Sequence, residues 1–590
     1  MSSVQSRGLL LRPCTPGEDS RRPAAPVCYS AIGAAGFKFS TGGTTHQRTG
    51  PRKKVTFVRV GSVLHVALIL MCLPLVGCGL SQGHSQAQNQ SAALSRGDAF
   101  FGMNQSHLVG CNSGDWAFPL FSAPAGSIRA FATCRTTWAQ MNPANNSFDF
   151  SGLDMLLSTL KSGGIDDVFL TLGYVPNWIS SNPTDPLCDG ANQHYLSPGM
   201  CDPPVDLNAD GTGTDLAWRN FLTALLNHVA SSSYRSTHAH IQYYEIWDEF
   251  HRSDTVNTAT CYPPGDSAGQ PCSYRGTFAQ MLRMTQDLRC IVEGHSNDPI
   301  TATLSTCGTS GYSAIGLDVS ALIMEGDAGG GSLDNGAVTL QNYLYCNSSP
   351  PAGSECNYGS AGSAATDVIS GHPYFSLGEI PERTIKYVAA EKALLSPVDA
   401  AKPYFAGEGS WGKNNTASIP DPGLHGAYVA RWYLALLIAG VQRGYWFAWD
   451  EFQADGAGGL WAPTSLTFPF MQCTTPDPVG GYTCTGGIAY AQIADWLSGA
   501  TVASFNCPGT CSRPVSGIFT VNITRSGGYE AQIAWDSSAT SPCLNPQCGA
   551  TAFTAPSFAT QWRDLAGNTY NGQPTAIGAA PIITENASAP

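Results

Sequence analysis

The segment WDEF occurs twice in this chain, as Trp247-Asp248-Glu249-Phe250 within QYYEIWDEF and as Trp449-Asp450-Glu451-Phe452 within GYWFAWDEF. Each puts two carboxyls and a tryptophan at the end of an apolar run. Cleaving a glycosidic bond takes one carboxylic acid to protonate the leaving oxygen and one carboxylate to act as base or nucleophile. An aromatic ring offers a flat apolar face for the C–H surface of a sugar. The plainer reading is two acidic strand ends meeting solvent. Which reading holds depends on the elements that carry these segments.

Short apolar runs alternate with helical patterns along residues 98–496, as in repeated βα units that build a parallel sheet. Eight runs read as strands: FGMNQSH (101–107), SIRAFAT (127–133), DVFLTLG (167–173), IQYYEIWDE (241–249), ITATLST (300–306), DVISGHPY (367–374), PYFAGEG (403–409) and GYWFAWDE (444–451). Apolar residues at helical spacing lie between most of them, for instance LDMLLSTLKSG and LAWRNFLTALLNHVA. Eight strands with intervening helices predict an α/β (β/α)8 TIM barrel, whose functional residues gather where the strands end. Those ends hold His107, Arg129, Trp178, Asp248, Glu249, His372, Tyr374, Glu408, Trp446 and Trp449. Carboxylates, aromatic faces and hydrogen-bonding groups at one rim suit a carbohydrate. From residue 497 to 590 the pattern shifts to short alternating runs such as GIFTVNITRS and YEAQIAWDSS, which predict a small C-terminal β-sandwich.

Composition narrows the partners. A net charge of −13 with no basic patch past the N-terminus argues against nucleic acid. Residues 1–54 lack periodicity and read as a disordered leader or over-extended start. Residues 55–78, preceded by Arg52, Lys53 and Lys54, form an apolar export signal ending in Leu75-Val76-Gly77-Cys78. That ending resembles a bacterial lipoprotein box, which would make Cys78 the lipidated residue and the only link to a membrane; residues 79–97 would be a tether. Sixteen cysteines follow Cys78 and fall into near neighbours: Cys111/Cys134, Cys188/Cys201, Cys261/Cys272, Cys290/Cys307, Cys346/Cys356, Cys473/Cys484, Cys507/Cys511 and Cys543/Cys548. In an exported chain they predict disulfides that staple loops. Neither metal nor cofactor is expected, since the strand ends lack paired histidines on one strand. Oligomeric state is left open.

The barrel segments resemble clan A retaining glycoside hydrolases, most closely those of family 39 and family 5 type. YYEIWDEF is similar to the WEIWNEP signature that holds their general acid/base. YFAGEGSWG resembles their nucleophile strand, SIRAFATCRTTWAQMNP their second strand, LTLGYVPNWIS their third and GHPY their sixth. The resemblance implies Glu249 as acid/base, Glu408 as nucleophile, Tyr374 bonded to that nucleophile, and His372 and Arg129 tuning charge. Trp446 or Trp449 would floor the sugar subsite, and Asp450 and Glu451 would bind hydroxyls, cap a helix or face solvent. Asp248 departs from the family, which has asparagine there to donate to the sugar's 2-hydroxyl. An ionised aspartate accepts but cannot donate. Asp248 therefore either holds a proton, meets a donor on the substrate, or leaves a barrel that only binds glycans. Phe131 and Phe250 are milder departures, standing where relatives often have Trp and Pro.

Overall fold

In the computed structural model of the chain, eight strands run parallel in one sheet: β1 (Phe101–Asn104), β2 (Ser127–Phe131), β3 (Asp167–Thr171), β4 (His240–Glu245), β5 (Leu322–Met324), β6 (Ile369–Gly371), β7 (Tyr404–Gly409) and β8 (Arg443–Trp446). The structure describes residues 98–105, 122–123, 125–185, 188, 198–250, 274–294, 316–326, 335–345, 361–375, 379–410, 422–450, 458–467, 471–539 and 551–586. The described residues fall within one compact unit, Ser81–Pro590. Neighbours in the sheet follow the order β5-β4-β3-β2-β1-β8-β7-β6. Its two edges meet through a parallel bridge between Met324 and Val368, and the Asp367 N–H donates to the Ile323 carbonyl at 2.8 Å. The barrel expected from the βα alternation is present.

Side chains alternate across each strand, so each strand feeds two cores. Phe169, Met324, Val368, Phe405 and Tyr445 fill the barrel, with Tyr243 against them. Residues of opposite parity, such as Ile128, Ala130, Val168, Leu170, Tyr244 and Trp446, pack outward in the cluster shared with the helices. Helix Ser151–Ser162 buries Leu153, Leu156, Leu157 and Leu160, one stripe at helical spacing. Helix Pro422–Ala439 is buried nearly all round, as its uniformly apolar sequence requires.

The fifth strand differs from expectation. ITATLST lies outside the described residues, and Leu322–Met324 takes the fifth barrel position. A three-residue strand gives too short a run to stand out from its surroundings. Apart from β7, which ends at Gly409 as expected, the other strands also stop earlier than the apolar runs suggest. β4 ends at Glu245 and β8 at Trp446, so both WDEF segments lie beyond the ladder, where the backbone is free to turn.

Beyond helix Thr485–Leu497 the chain forms a six-stranded antiparallel sheet from Thr501–Asn506, Ile518–Arg525, Tyr529–Asp536, Gln561–Arg563, Thr569–Asn571 and Ile582–Glu585. One face, with Phe519, Val521, Ile523, Ala531, Ile533 and Trp535, joins the core that contains the barrel helices. The other face packs Ala534, Trp562 and Ile582 against Ile577 of a two-stranded ribbon. This two-layer arrangement is consistent with the expected sandwich. At its seam with the barrel, Arg431 donates to Glu382 through Nε at 2.7 Å and Nη2 at 2.6 Å. The Trp535 indole N–H donates to the same carboxylate at 2.6 Å. Both charges are buried, so removing one leaves the other unpaired. Arg431→Leu is expected to cost about 3–5 kcal/mol in equilibrium denaturation. A loss in the range of an exposed pair, about 0–1 kcal/mol, would show that the contact does not hold the sheet to the barrel.

Cys188–Cys201, Cys473–Cys484 and Cys507–Cys511 are disulfides, as proximity along the chain suggested. Cys134 and Cys290 are also disulfide-bonded. The remaining pairings involve cysteines outside the described residues, as does Cys78. Among the described residues no helix is long and apolar enough to cross a membrane.

Candidate active site

The centre of the site is Arg129. Its position on β2 points it into the barrel, where its guanidinium lies over the Phe169 ring at 5.2 Å, and it is fully buried. Three carboxylates surround it. Nη2 donates to Glu245 Oε2 at 2.9 Å and to Asp248 Oδ1 at 2.6 Å, and Nη1 donates to Glu408 Oε1. Burial works against the guanidinium charge, but Glu245, then Asp248 and Glu408, outweigh it and raise its pKa further. Glu245 follows Tyr243 with the same parity on β4, and it also accepts the Thr171 hydroxyl.

Glu408 reaches the barrel mouth because β7 breaks register against β8 between Ala406 and Gly409. Phe405 points inward and Ala406 outward, so an unbroken strand would turn position 408 outward. Glu408 keeps a side-chain exposure of 10% and accepts the Tyr374 hydroxyl at 2.6 Å. Glu249, past the end of β4, has a φ of 45°, a conformation that few residues other than glycine adopt. Its side chain is 34% exposed and lies 2.8 Å from His372 Nδ1. The same nitrogen is 3.6 Å from Glu408 Oε2. The two carboxylate oxygens are therefore no further apart than the sum of these distances, about 6.4 Å.

Asp248 shares this cluster, and its pKa is pushed up to about 6. Burial is the main cause; Arg129 opposes it, while the charges of Glu408 and Glu249 add to it. Tyr174, just after β3, is buried against the rings of Phe131 and Trp247. Burial and the three acids hold its hydroxyl protonated. Asp248, His372 and Glu408 lie near enough together to hold a metal ion. Arg129, however, already bonds two of the three and repels a second cation there.

The structure thus brings together Arg129, Asp248, Glu249, His372, Tyr374 and Glu408. Trp178 sits in the turn after β3, half-buried, with its indole N–H on the Asn142 carbonyl at 2.9 Å. His107 lies outside the described residues. Trp446 and Trp449, expected to floor a sugar subsite, have no exposed surface. Trp446 donates to the Gly458 carbonyl and packs edge-on to Trp432 at 5.4 Å. Between them Phe447 is half-buried, and its N–H donates to the carbonyl of Gly409, next to Glu408. In the second WDEF Asp450 is buried, and Glu451 lies outside the described residues.

No protein family description matches this chain, and no curated protein does. Among solved structures it is similar to a family 39 glycoside hydrolase from Bacteroides cellulosilyticus, at 14% identity and TM-score 0.46 over 78% of this chain and 75% of that one. It is also similar to a family 39 β-xylosidase from Caulobacter crescentus, at 13% identity and TM-score 0.43 over 78% and 88%. A third is the family 30 xylanase C catalytic domain from Talaromyces cellulolyticus, at 12% and 0.41 over 81% and 90%. At these values the likenesses carry no function across.

Proposed function

We propose that this protein is a retaining β-glycoside hydrolase acting on oligo- or polysaccharides outside the cytoplasm, tethered through Cys78. The observation that carries the reading is His372 Nδ1 reaching both Glu249 and Glu408, which brings Glu249 Oε1 and Glu408 Oε2 within about 6.4 Å of each other. Retaining enzymes hold their carboxyls about 5–5.5 Å apart, whereas inverting enzymes leave about 6.5–9.5 Å for a water. Glu408, which accepts hydrogen bonds from Arg129 and Tyr374, attacks the anomeric carbon. Glu249 is the more exposed of the two and protonates the departing oxygen, then deprotonates the water that releases the sugar. Phe447 supplies the apolar face that Trp446 and Trp449 cannot. The disulfides support an oxidising compartment.

Asp248 takes the place of the amide in this scheme by carrying a proton. With Arg129 already paired to it, it has no need of a cationic substrate, so common 2-hydroxy sugars fit better than 2-amino sugars. Activity should fall as pH rises through about 6, where Asp248 loses the proton it donates. Asp248→Asn, a permanent donor, should remove that limb and raise kcat/KM several-fold above it. The reading is tested by turnover of a panel of aryl-β-glycosides by the wild type and its loss in Glu408→Gln. A purified protein that binds glycans and cleaves none would make it a binding module instead.

A further inference from the structure

Arg129 Nη2 has two protons and two carboxylate partners, Glu245 Oε2 at 2.9 Å and Asp248 Oδ1 at 2.6 Å. Glu245 has no surface exposure, whereas 15% of the Asp248 side chain is exposed. Of the three acids on the guanidinium, the charge of Glu245 acts on it most strongly. It bonds the Arg129 guanidinium and accepts the Thr171 hydroxyl at the floor of the site.

We propose that Glu245 is a positioning residue that keeps Asp248 in its proton-donating form by drawing off the Arg129 charge that would otherwise ionise it, and so commits the site to sugars bearing a hydroxyl at C2. The inference rests on the hydrolase reading above. Around Asp248 stand Arg129 from β2, Glu408 from β7, His372 from beyond β6, Tyr174 from beyond β3, and Glu245 and Glu249 on its own segment. Arg129 brings one positive charge to the three carboxyls of Glu245, Asp248 and Glu408, so ionising all three leaves negative charge in excess, which disfavours ionisation at Asp248. Neutralising Glu245 leaves Arg129 to Glu408 and Asp248, and Asp248 then loses its proton at lower pH.

The test is a pair of pH–rate profiles on one 2-hydroxy aryl-β-glycoside. Glu245→Gln should move the alkaline limb to lower pH by about one unit, a tenfold change in the proton affinity of Asp248. Glu245→Asp, which keeps the charge, should restore the wild-type limb. In an Asp248→Asn background Glu245→Gln should shift no limb at all. An equal loss at every pH, in both backgrounds, means that Glu245 only supports the fold, and the proposal is then wrong. The carboxyl carbon of Asp248 can be titrated by NMR without turnover. A midpoint lowered by Glu245→Gln supports the proposal even if the wild type cleaves nothing, which would count against the hydrolase reading alone. An unchanged midpoint overturns it.

Discussion

Glu408→Ala is expected to lose turnover of aryl-β-glycosides by about 10⁴-fold or more, because removing a nucleophile removes the covalent step itself. Glu249→Ala should behave differently. On substrates with good leaving groups the first step survives without an acid, the second stalls without a base, and the loss is about 10²–10⁴-fold. External azide, small enough to enter where the Glu249 carboxyl stood, should restore the rate and leave a β-glycosyl azide. The double displacement dictates that configuration, since azide attacks the face the leaving group vacated. Rescue of Glu451→Ala with no rescue of Glu249→Ala would assign the acid/base to the second WDEF.

The second large effect belongs to Arg129. Arg129→Leu strips the counter-charge from Glu245, Asp248 and Glu408 together. Loss of one partner from a buried ion pair costs about 3–5 kcal/mol, and here three carboxylates must take up protons or stay buried unpaired. The sign with pH follows from Asp248, whose folded pKa of about 6 lies above the ordinary aspartate value. Its contribution to stability is fully present below the ordinary value and is lost as pH rises through about 6. Without Arg129 the folded carboxyls bind protons more tightly still, so the deficit should widen from pH 5 to pH 8 in urea denaturation. Activity should fall with it. A variant equally destabilised at both pH values would mean that the three acids are not sharing this cation.

What could be read from the sequence divides along strand parity. The barrel followed from the alternation of apolar runs and helices. Arg129, Asp248, Glu249, His372, Tyr374 and Glu408 stand at strand ends, where chemistry is expected in that fold. Residue type alone points to the tryptophans as the aromatic floor, and parity does not. In YWFAW, Tyr445 enters the barrel and Trp446 faces the helices, so the next inward position is Phe447. Glu245 was equally legible, two residues after the inward Tyr243, but the apolar run 241–249 carries the expected strand end past it. Glu408 could not be placed by parity at all. The break in register between Ala406 and Gly409 resets the count, and no residue in YFAGEG announces it. The three-residue β5 was hidden by its length.

Retention depends on the distance between Glu249 and Glu408, and product stereochemistry reads that distance most directly. Proton NMR of the first minutes of hydrolysis, before mutarotation, shows which anomer leaves the enzyme. The β-anomer must appear first if the two carboxyls act by double displacement. The α-anomer first would mean that water attacks directly and would contradict the roles given to Glu249 and Glu408.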